Sequence, residues 1–405
     1  MPTVELVSNI SHYYYTARAL LRHGFLGHFI TGPRALENEQ WMGRVGPFKR
    51  LWAERKLVGI PPARVKRLWL PEIAAKLTRR LGGTGERSNW IHNELFARGA
   101  SLRLERADAV HFVNSVGLES ARKARKNSAL CICDMRMEHP DFQQEILTEE
   151  SRRLGIEVAV SGFSYKHRLL AELELADYVV CPSSYAQRTF VDRGMDPEKI
   201  IVCPYGIDTQ TFTPDTRTGQ VPDGPLVVLF LGTVCVRKGV HYLLEGFKRA
   251  ALPDARLILA GPIDPGFRPI LQRYAGLFEA PGPVPKLRVP EYYRAASVFV
   301  LPSLADSYGL VTVEAMSSGV PLIVSENTGA ADMVRTLGNG FVLPVRDADS
   351  IAERLTWLHH NRDAGRQMGE RGSKAKDRLS WDRYEQSLAG FYQTLFGSRT
   401  THGSH

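Results

Sequence analysis

The stretch Leu301-Pro302-Ser303-Leu304-Ala305-Asp306-Ser307-Tyr308-Gly309-Leu310-Val311-Thr312-Val313-Glu314-Ala315-Met316, closed by Ser318-Gly319-Val320-Pro321, decides how the chain is read. An apolar run over Ser297 to Leu301 turns through a polar loop into a helix expected over Leu310 to Ser318. Asp306 lies in the loop and Glu314 about one turn into the helix, so one carboxylate can face a sugar ring while the other accepts ribose hydroxyls. The amides of Leu310 and Val311 would open the helix beneath phosphates, where its dipole favours negative charge. In the plain alternative, Asp306 only caps the helix and Glu314 is a surface residue.

Upstream, Phe230-Leu231-Gly232-Thr233-Val234-Cys235-Val236-Arg237-Lys238-Gly239 makes the same passage from strand to loop to helix. Glycine lets a phosphate approach the backbone, and Lys238 adds a point charge for a diphosphate. An Arg-Lys pair on solvated surface is the competing reading of this loop.

These motifs sit in a repeating pattern. Strands are expected at Leu226 to Leu231, Arg256 to Ala260, Ser297 to Leu301 and Val320 to Val324, with helices at Val240 to Ala250, Leu310 to Ser318 and Ser350 to His360. The first half alternates likewise: strands at Thr3 to Ser8, Gly27 to Thr31, Asp108 to Val113, Ala129 to Asp134, Asp177 to Cys181 and Ile200 to Cys203. Its helices are expected at Tyr13 to Arg22, Val116 to Lys126 (behind Ser115 as cap), Phe142 to Leu154 and Ser184 to Arg193. Turn residues crowd Pro204 to Pro225, where the halves join. The fold class is therefore α/β, two parallel-sheet units facing a cleft. The boundaries drawn are residues 1–207 with a basic insertion at about 40–85, residues 208–380, and a last helix at 381–397 that packs back on the first unit.

Composition narrows the class. At 405 residues and 43% hydrophobic content, two cores are expected. No apolar run approaches the roughly 20 residues of a spanning helix, and the start lacks a charged, signal-like beginning, so a cytoplasmic protein is expected. The five cysteines read as reduced core thiols. Between Arg44 and Arg80, eleven cations stand against two carboxylates and account for the whole net charge of +9. Interleaved Trp52, Leu57, Leu68, Trp69, Leu70 and Leu77 suit a surface resting on anionic lipid at the inner face of a membrane. A solvated helical insertion is the plain alternative, and no nucleic-acid partner is expected.

The Lys238-Gly239 loop, the two carboxylates of Asp306 and Glu314, and Gly319-Val320-Pro321 resemble the retaining glycosyltransferases of family 4, bacterial glycan-biosynthesis type, whose fold is GT-B. Val202-Cys203-Pro204-Tyr205-Gly206-Ile207-Asp208 and Leu259-Ala260-Gly261-Pro262 add to the resemblance. It implies a nucleotide-diphosphate sugar donor, held by Lys238 at phosphate, Asp306 at the transferred sugar and Glu314 at the ribose, with Gly232, Thr233, Arg237, Gly309, Leu310 and Val311 around them. Two positions depart from the family: Asp306 stands for a usual Glu, and Thr233 for an arginine often found after the loop glycine. Arg237 or helix amides would have to make good that lost contact.

In the first half, Asp134-Met135-Arg136-Met137-Glu138-His139-Pro140 resembles a segment of some bacterial members. It puts His139 at the acceptor side, able to share a proton with an incoming hydroxyl, with Ser8 and Asn9 nearby. The acceptor is expected to be a glycan, a lipid-linked glycan or a small molecule. No cofactor or metal is called for, and Asp347-Ala348-Asp349 reads as a helix cap. Rival readings are a nucleotide-sugar epimerase, a phosphorylase, or a non-catalytic scaffold. An oxidoreductase is disfavoured because Val7-Ser8-Asn9-Ile10-Ser11-His12 replaces G-x-G-x-x-G.

Overall fold

The structure, a computed structural model, describes residues 1–39, 56–156, 165–214 and 224–401. Within these, runs such as Val4–Val7 and Ala109–Val113, apolar but for Glu5 and His111, are buried at every position, the signature of strands covered on both faces. Strands β1 (Val4–Val7), β2 (Leu26–Thr31), β5 (Val65–Arg67), β6 (Ala109–Val113), β7 (Leu130–Asp134), β8 (Tyr178–Cys181) and β9 (Ile200–Val202) form one sheet in the order β5-β2-β1-β6-β7-β8-β9. A second sheet, order β12-β11-β10-β13-β14-β15, joins β10 (Val227–Leu231), β11 (Arg256–Ala260), β12 (Glu279–Gly282), β13 (Val298–Leu301), β14 (Leu322–Ser325) and β15 (Gly340–Leu343). The pairs in both sheets are parallel. The short β3 (Ala35–Leu36) and β4 (Lys56–Leu57) pair beside them.

Strand order reverses beside β1 in the first sheet and beside β10 in the second. A crevice opens at such points beyond the carboxyl ends of the strands, and ligands bind there. In the second sheet that crevice is bordered by the loop after β10, residues 232–239, and the loop after β13, residues 302–309.

The last helix, Trp381–Thr401, runs beyond the expected end and docks on the helix Tyr13–Arg22 of the first unit. Trp381 stacks on Tyr15 at 4.0 Å, Tyr384 shares a 2.7 Å hydrogen bond with Thr16, and Glu385 accepts from Arg18 and Arg22. Deeper in, Tyr392 bonds the buried His111 at 2.8 Å.

Some local expectations change. The helix placed behind Ser115 starts at Leu118 instead, because Ser115 is turned to a φ of 79° and does not cap it. The N–H groups of Ser115, Gly117 and Leu118 are taken by the Glu172 carboxylate at 2.7, 2.8 and 3.1 Å. Strands β5, β12 and β15 lie outside the expected set; β12, Glu-Ala-Pro-Gly, carries no apolar alternation.

Of the basic stretch, Arg44, Lys49, Arg50, Trp52 and Arg55 lie outside the described residues, as do residues 215–223 of the turn-rich junction. The remainder holds the helices Leu70–Arg80 and Gly85–Arg103. Several of its cations are spoken for: Arg67 forks onto Glu39, Lys66 reaches Glu105, and Arg79 bonds Ser88.

Candidate functional site

The loop after β10 tightens into a turn at Val236–Lys238, then Gly239 takes a left-handed φ of 65° and opens the helix Val240–Ala250. A Cβ at Gly239 would stand 1.9 Å from the Pro302 carbonyl oxygen, so only glycine lets this loop meet the one after β13. The two loops are stitched by Leu304 N–H to Arg237 O at 2.9 Å and Arg237 Nη1 to Ala305 O at 2.8 Å.

That junction brings Lys238 onto Asp306. The ammonium and carboxylate form a hydrogen-bonded ion pair, both side chains largely buried. Burial alone would raise the Asp306 carboxyl, but the Lys238 and Arg237 charges outweigh it and hold Asp306 below the usual carboxylate range. The other Asp306 oxygen accepts the Gly309 N–H at 3.1 Å, so one residue both caps the helix start and meets the cation.

Gly309, at φ 73°, leads into the helix Leu310–Ser317, whose first amides project without intrahelical acceptors. Glu314 on that helix is not a surface residue. It accepts the buried Tyr293 hydroxyl at 3.0 Å, and burial pushes its carboxyl up to about 7, against the Tyr293 bond and the Lys286 charge. Gly232 stands at the end of β10, and Thr233 is exposed.

The site lies on the seam with the first unit. Ser183 Oγ donates to Ser307 O at 2.5 Å, Ser307 Oγ to Arg136 O at 2.5 Å, and Tyr308 OH to Tyr205 O at 2.6 Å. The residues expected on the acceptor side fall differently. His139 begins the helix Pro140–Leu154, its Nδ1 accepting the Asp141 N–H at 3.2 Å and its ring edge-on to Phe190. Burial lowers its pKa, and the charges bearing on it are those of Asp141, Arg193, Glu145 and Lys166, not of the 306–314 segment. Ser8 is buried and accepts the Ile10 N–H, while Asn9 reaches Asn93 on the helix Gly85–Arg103.

Asp347 accepts the Ser350 N–H at 2.8 Å and caps the helix Ala348–His360, the role read for it. Among the described residues, no group of three or more His, Cys, Asp or Glu side chains is arranged to hold a metal ion. Four of the five cysteines are buried and none is paired. A groove of about 410 Å³ lies elsewhere, bordered by Glu150, Arg153, His241, Tyr242, Arg273 and Arg346.

Residues 213–375 match the family described as glycosyl transferases group 1. The matched stretch holds Lys238, Asp306 and Glu314. A D-inositol 3-phosphate glycosyltransferase of Geodermatophilus obscurus is 31% identical over 238 residues, 54% of this chain and 52% of that protein. A putative colanic acid biosynthesis glycosyltransferase, WcaL of Salmonella typhimurium, is 28% identical over 40% of this chain and 42% of its own length. The chain thus spans about half the length of the curated relatives it matches. Sucrose-phosphate synthase from Thermosynechococcus elongatus superposes with a TM-score of 0.66 at 18% identity, covering 98% of this chain and all of that one. HepE of Anabaena, in complex with UDP and glucose, gives 0.65 at 14% identity over 97% of this chain and 100% of its own. These likenesses show the fold: the stretch that matches the group 1 family forms the second half of a GT-B fold.

Among the described residues, no helix is long and apolar enough to cross a membrane.

Proposed function

We propose that this chain moves a hexosyl group from a nucleotide-diphosphate sugar to a hydroxyl of a glycan, lipid-linked glycan or small-molecule acceptor. The observation that carries the reading is the buried Lys238–Asp306 pair, opening on the interlobe seam with Glu314 on the adjoining helix. Lys238 and the amides of Leu310 and Val311 stabilise the charge that grows on the departing diphosphate as the sugar–phosphate bond lengthens. Arg237 stands in for the arginine that Thr233 replaces, and Glu314 accepts ribose hydroxyls. The first unit, residues 1–207, presents the acceptor, and closure of the two units excludes water. Retention of configuration, with attack from the leaving-group side, belongs to the proposal through the resemblance to family 4, and the chemistry calls for no metal. HepE, crystallised with UDP-glucose, supports a UDP-sugar donor.

The test is the double substitution Lys238→Ala with Glu314→Ala: calorimetric binding of nucleotide sugars is lost, and unchanged binding ends the assignment. Release of nucleoside diphosphate only with an added acceptor separates transfer from epimerisation and phosphorolysis; slow donor hydrolysis alone separates an enzyme from a scaffold.

A lipid-linked acceptor at a membrane face is favoured by one feature. On the helix Leu70–Arg80 and just past it, Leu70, Ile73, Leu77 and Leu81 are each more than half exposed at helical spacing, beside exposed Lys76 and Arg80. Flotation with anionic liposomes at low salt is expected, and failure to float removes the membrane contact.

A further inference from the structure

Glu138 directly precedes His139, yet its carboxylate answers to different neighbours. It is 1% exposed. Gln143 Nε2 donates to Oε2 at 3.1 Å, while Oε1 is buried without any hydrogen-bond partner. The charges that act on the carboxylate are Arg237, Asp306 and Lys238, the donor group across the seam. The two segments are held in register by Ser307, between Asp306 and Tyr308, whose hydroxyl bonds the carbonyl of Arg136 two residues before Glu138. The helix that follows Glu138 also packs on the Val236–Lys238 turn.

A buried carboxylate oxygen lacking a donor is costly, and such an oxygen at a ligand seam is satisfied when the ligand brings the missing hydroxyl. Burial pushes the Glu138 carboxyl up, against the Arg237 and Lys238 charges and a bond from its own backbone N–H, with Asp306 adding to the rise. His139 already spends Nδ1 on the helix start, and the buried polar atoms the first unit leaves without a partner near this place are Glu138 Oε1, Tyr185 OH and Arg136 Nε, of which Glu138 Oε1 is the carboxylate acceptor.

We propose that Glu138 is the first unit's contact to the transferred sugar, its Oε1 accepting a hydroxyl of an uncharged glycosyl group whose other side meets Asp306. The inference rests on the donor reading above and adds a specificity. With Lys238 and Arg237 engaged by the diphosphate, Glu138 and Asp306 leave the sugar between two carboxylates. A glycosyl group bearing its own carboxylate is repelled there, and a neutral hexosyl group is accepted.

The experiment titrates wild type, Glu138→Gln and Glu138→Ala with UDP, UDP-glucose, UDP-glucuronate, GDP and GDP-mannose by calorimetry, alongside melting temperatures. Nucleoside diphosphate affinity stays within about twofold in both variants. Affinity for the hexose donor falls roughly 10- to 100-fold in Glu138→Ala, the worth of a hydrogen bond to a charged group, and less in Glu138→Gln. Wild type prefers glucose to glucuronate, and the preference shrinks in both variants. Melting temperatures hold or rise, because an unsatisfied buried oxygen is removed; a merely structural residue would lower them. Equal loss of diphosphate and sugar-donor affinity, or no loss of either, overturns the inference. If wild type binds neither UDP nor GDP, the donor reading itself falls, and this inference with it.

Discussion

Glu150 ties the two units together, and its replacement by glutamine has a calculable cost. The carboxylate sits on the helix Pro140–Leu154 of the first unit, its side chain fully buried. It accepts His241 Nε2 at 2.9 Å, Tyr242 OH at 2.7 Å and Arg346 Nε at 2.7 Å, all from the second unit. Burial acts to raise its pKa, but these three donors prevail and bring it down to about 2 from 4.5. A shift of that size corresponds to about 3 kcal/mol in favour of the ionised native form at neutral pH, at ~1.4 kcal/mol per unit. The folded pKa is depressed, so the contribution is present above the unfolded value and lost as pH falls toward 2; by the same linkage about half remains at pH 3. Glu150→Gln keeps the shape and removes the charge. Its melting temperature should fall by about 3–4 °C at pH 7, from ~2 cal/mol/K of unfolding entropy per residue. Differential scanning calorimetry of both proteins at pH 7, 4 and 3 makes the comparison. A gap that does not narrow on acidification, or one below about 1 °C at pH 7, refutes the reasoning.

Other consequences can be checked with single substitutions. In its proposed ribose-binding role Glu314, pushed up to about 7, accepts hydroxyls best when ionised, so affinity for UDP-glucose should rise up to about tenfold from pH 6 to 8 and level off, while Glu314→Gln shows a flat profile by calorimetry. The native state binds the extra proton between about 4.5 and 7, so Glu314's contribution to stability falls as pH rises through that window; Glu314→Gln gains on wild type between pH 5 and 8 in urea titrations. Gly239→Ala forces a Cβ to within 1.9 Å of Pro302 O at a left-handed φ, and should cost more than about 2 kcal/mol in denaturant unfolding while abolishing nucleotide binding; a folded variant that still binds nucleotide contradicts the loop's role. Trp381→Ala loses the 4.0 Å stack on Tyr15 and should destabilise by about 2–3 kcal/mol in urea titrations, less than about 0.5 kcal/mol meaning the last helix is not anchored there.

The sequence by itself determined the architecture. Parallel strands buried on both faces are nearly continuous apolar runs, and helices such as Tyr13–Arg22 and Val240–Ala250 appear with the bounds their periodicity predicts. Lys238, Asp306 and Glu314 stand out through the resemblance to family 4, since their local signals of loop glycines, a cation and spaced carboxylates also admit a helix cap and solvated surface. Tertiary structure alone decided what each of these side chains meets. Lys238 and Asp306 are 68 residues apart and become an ion pair only because Gly239 lets one loop touch the other. Glu172 takes over the cap read for Ser115 from 57 residues away. Glu138 and His139 are neighbours in sequence, but one feels the charges of Arg237, Lys238 and Asp306 and the other caps the start of a helix. Spacing along a strand or helix is set by backbone geometry and is legible in one dimension. Which way a loop side chain turns depends on burial and partners brought from afar, and those exist only once the chain has folded.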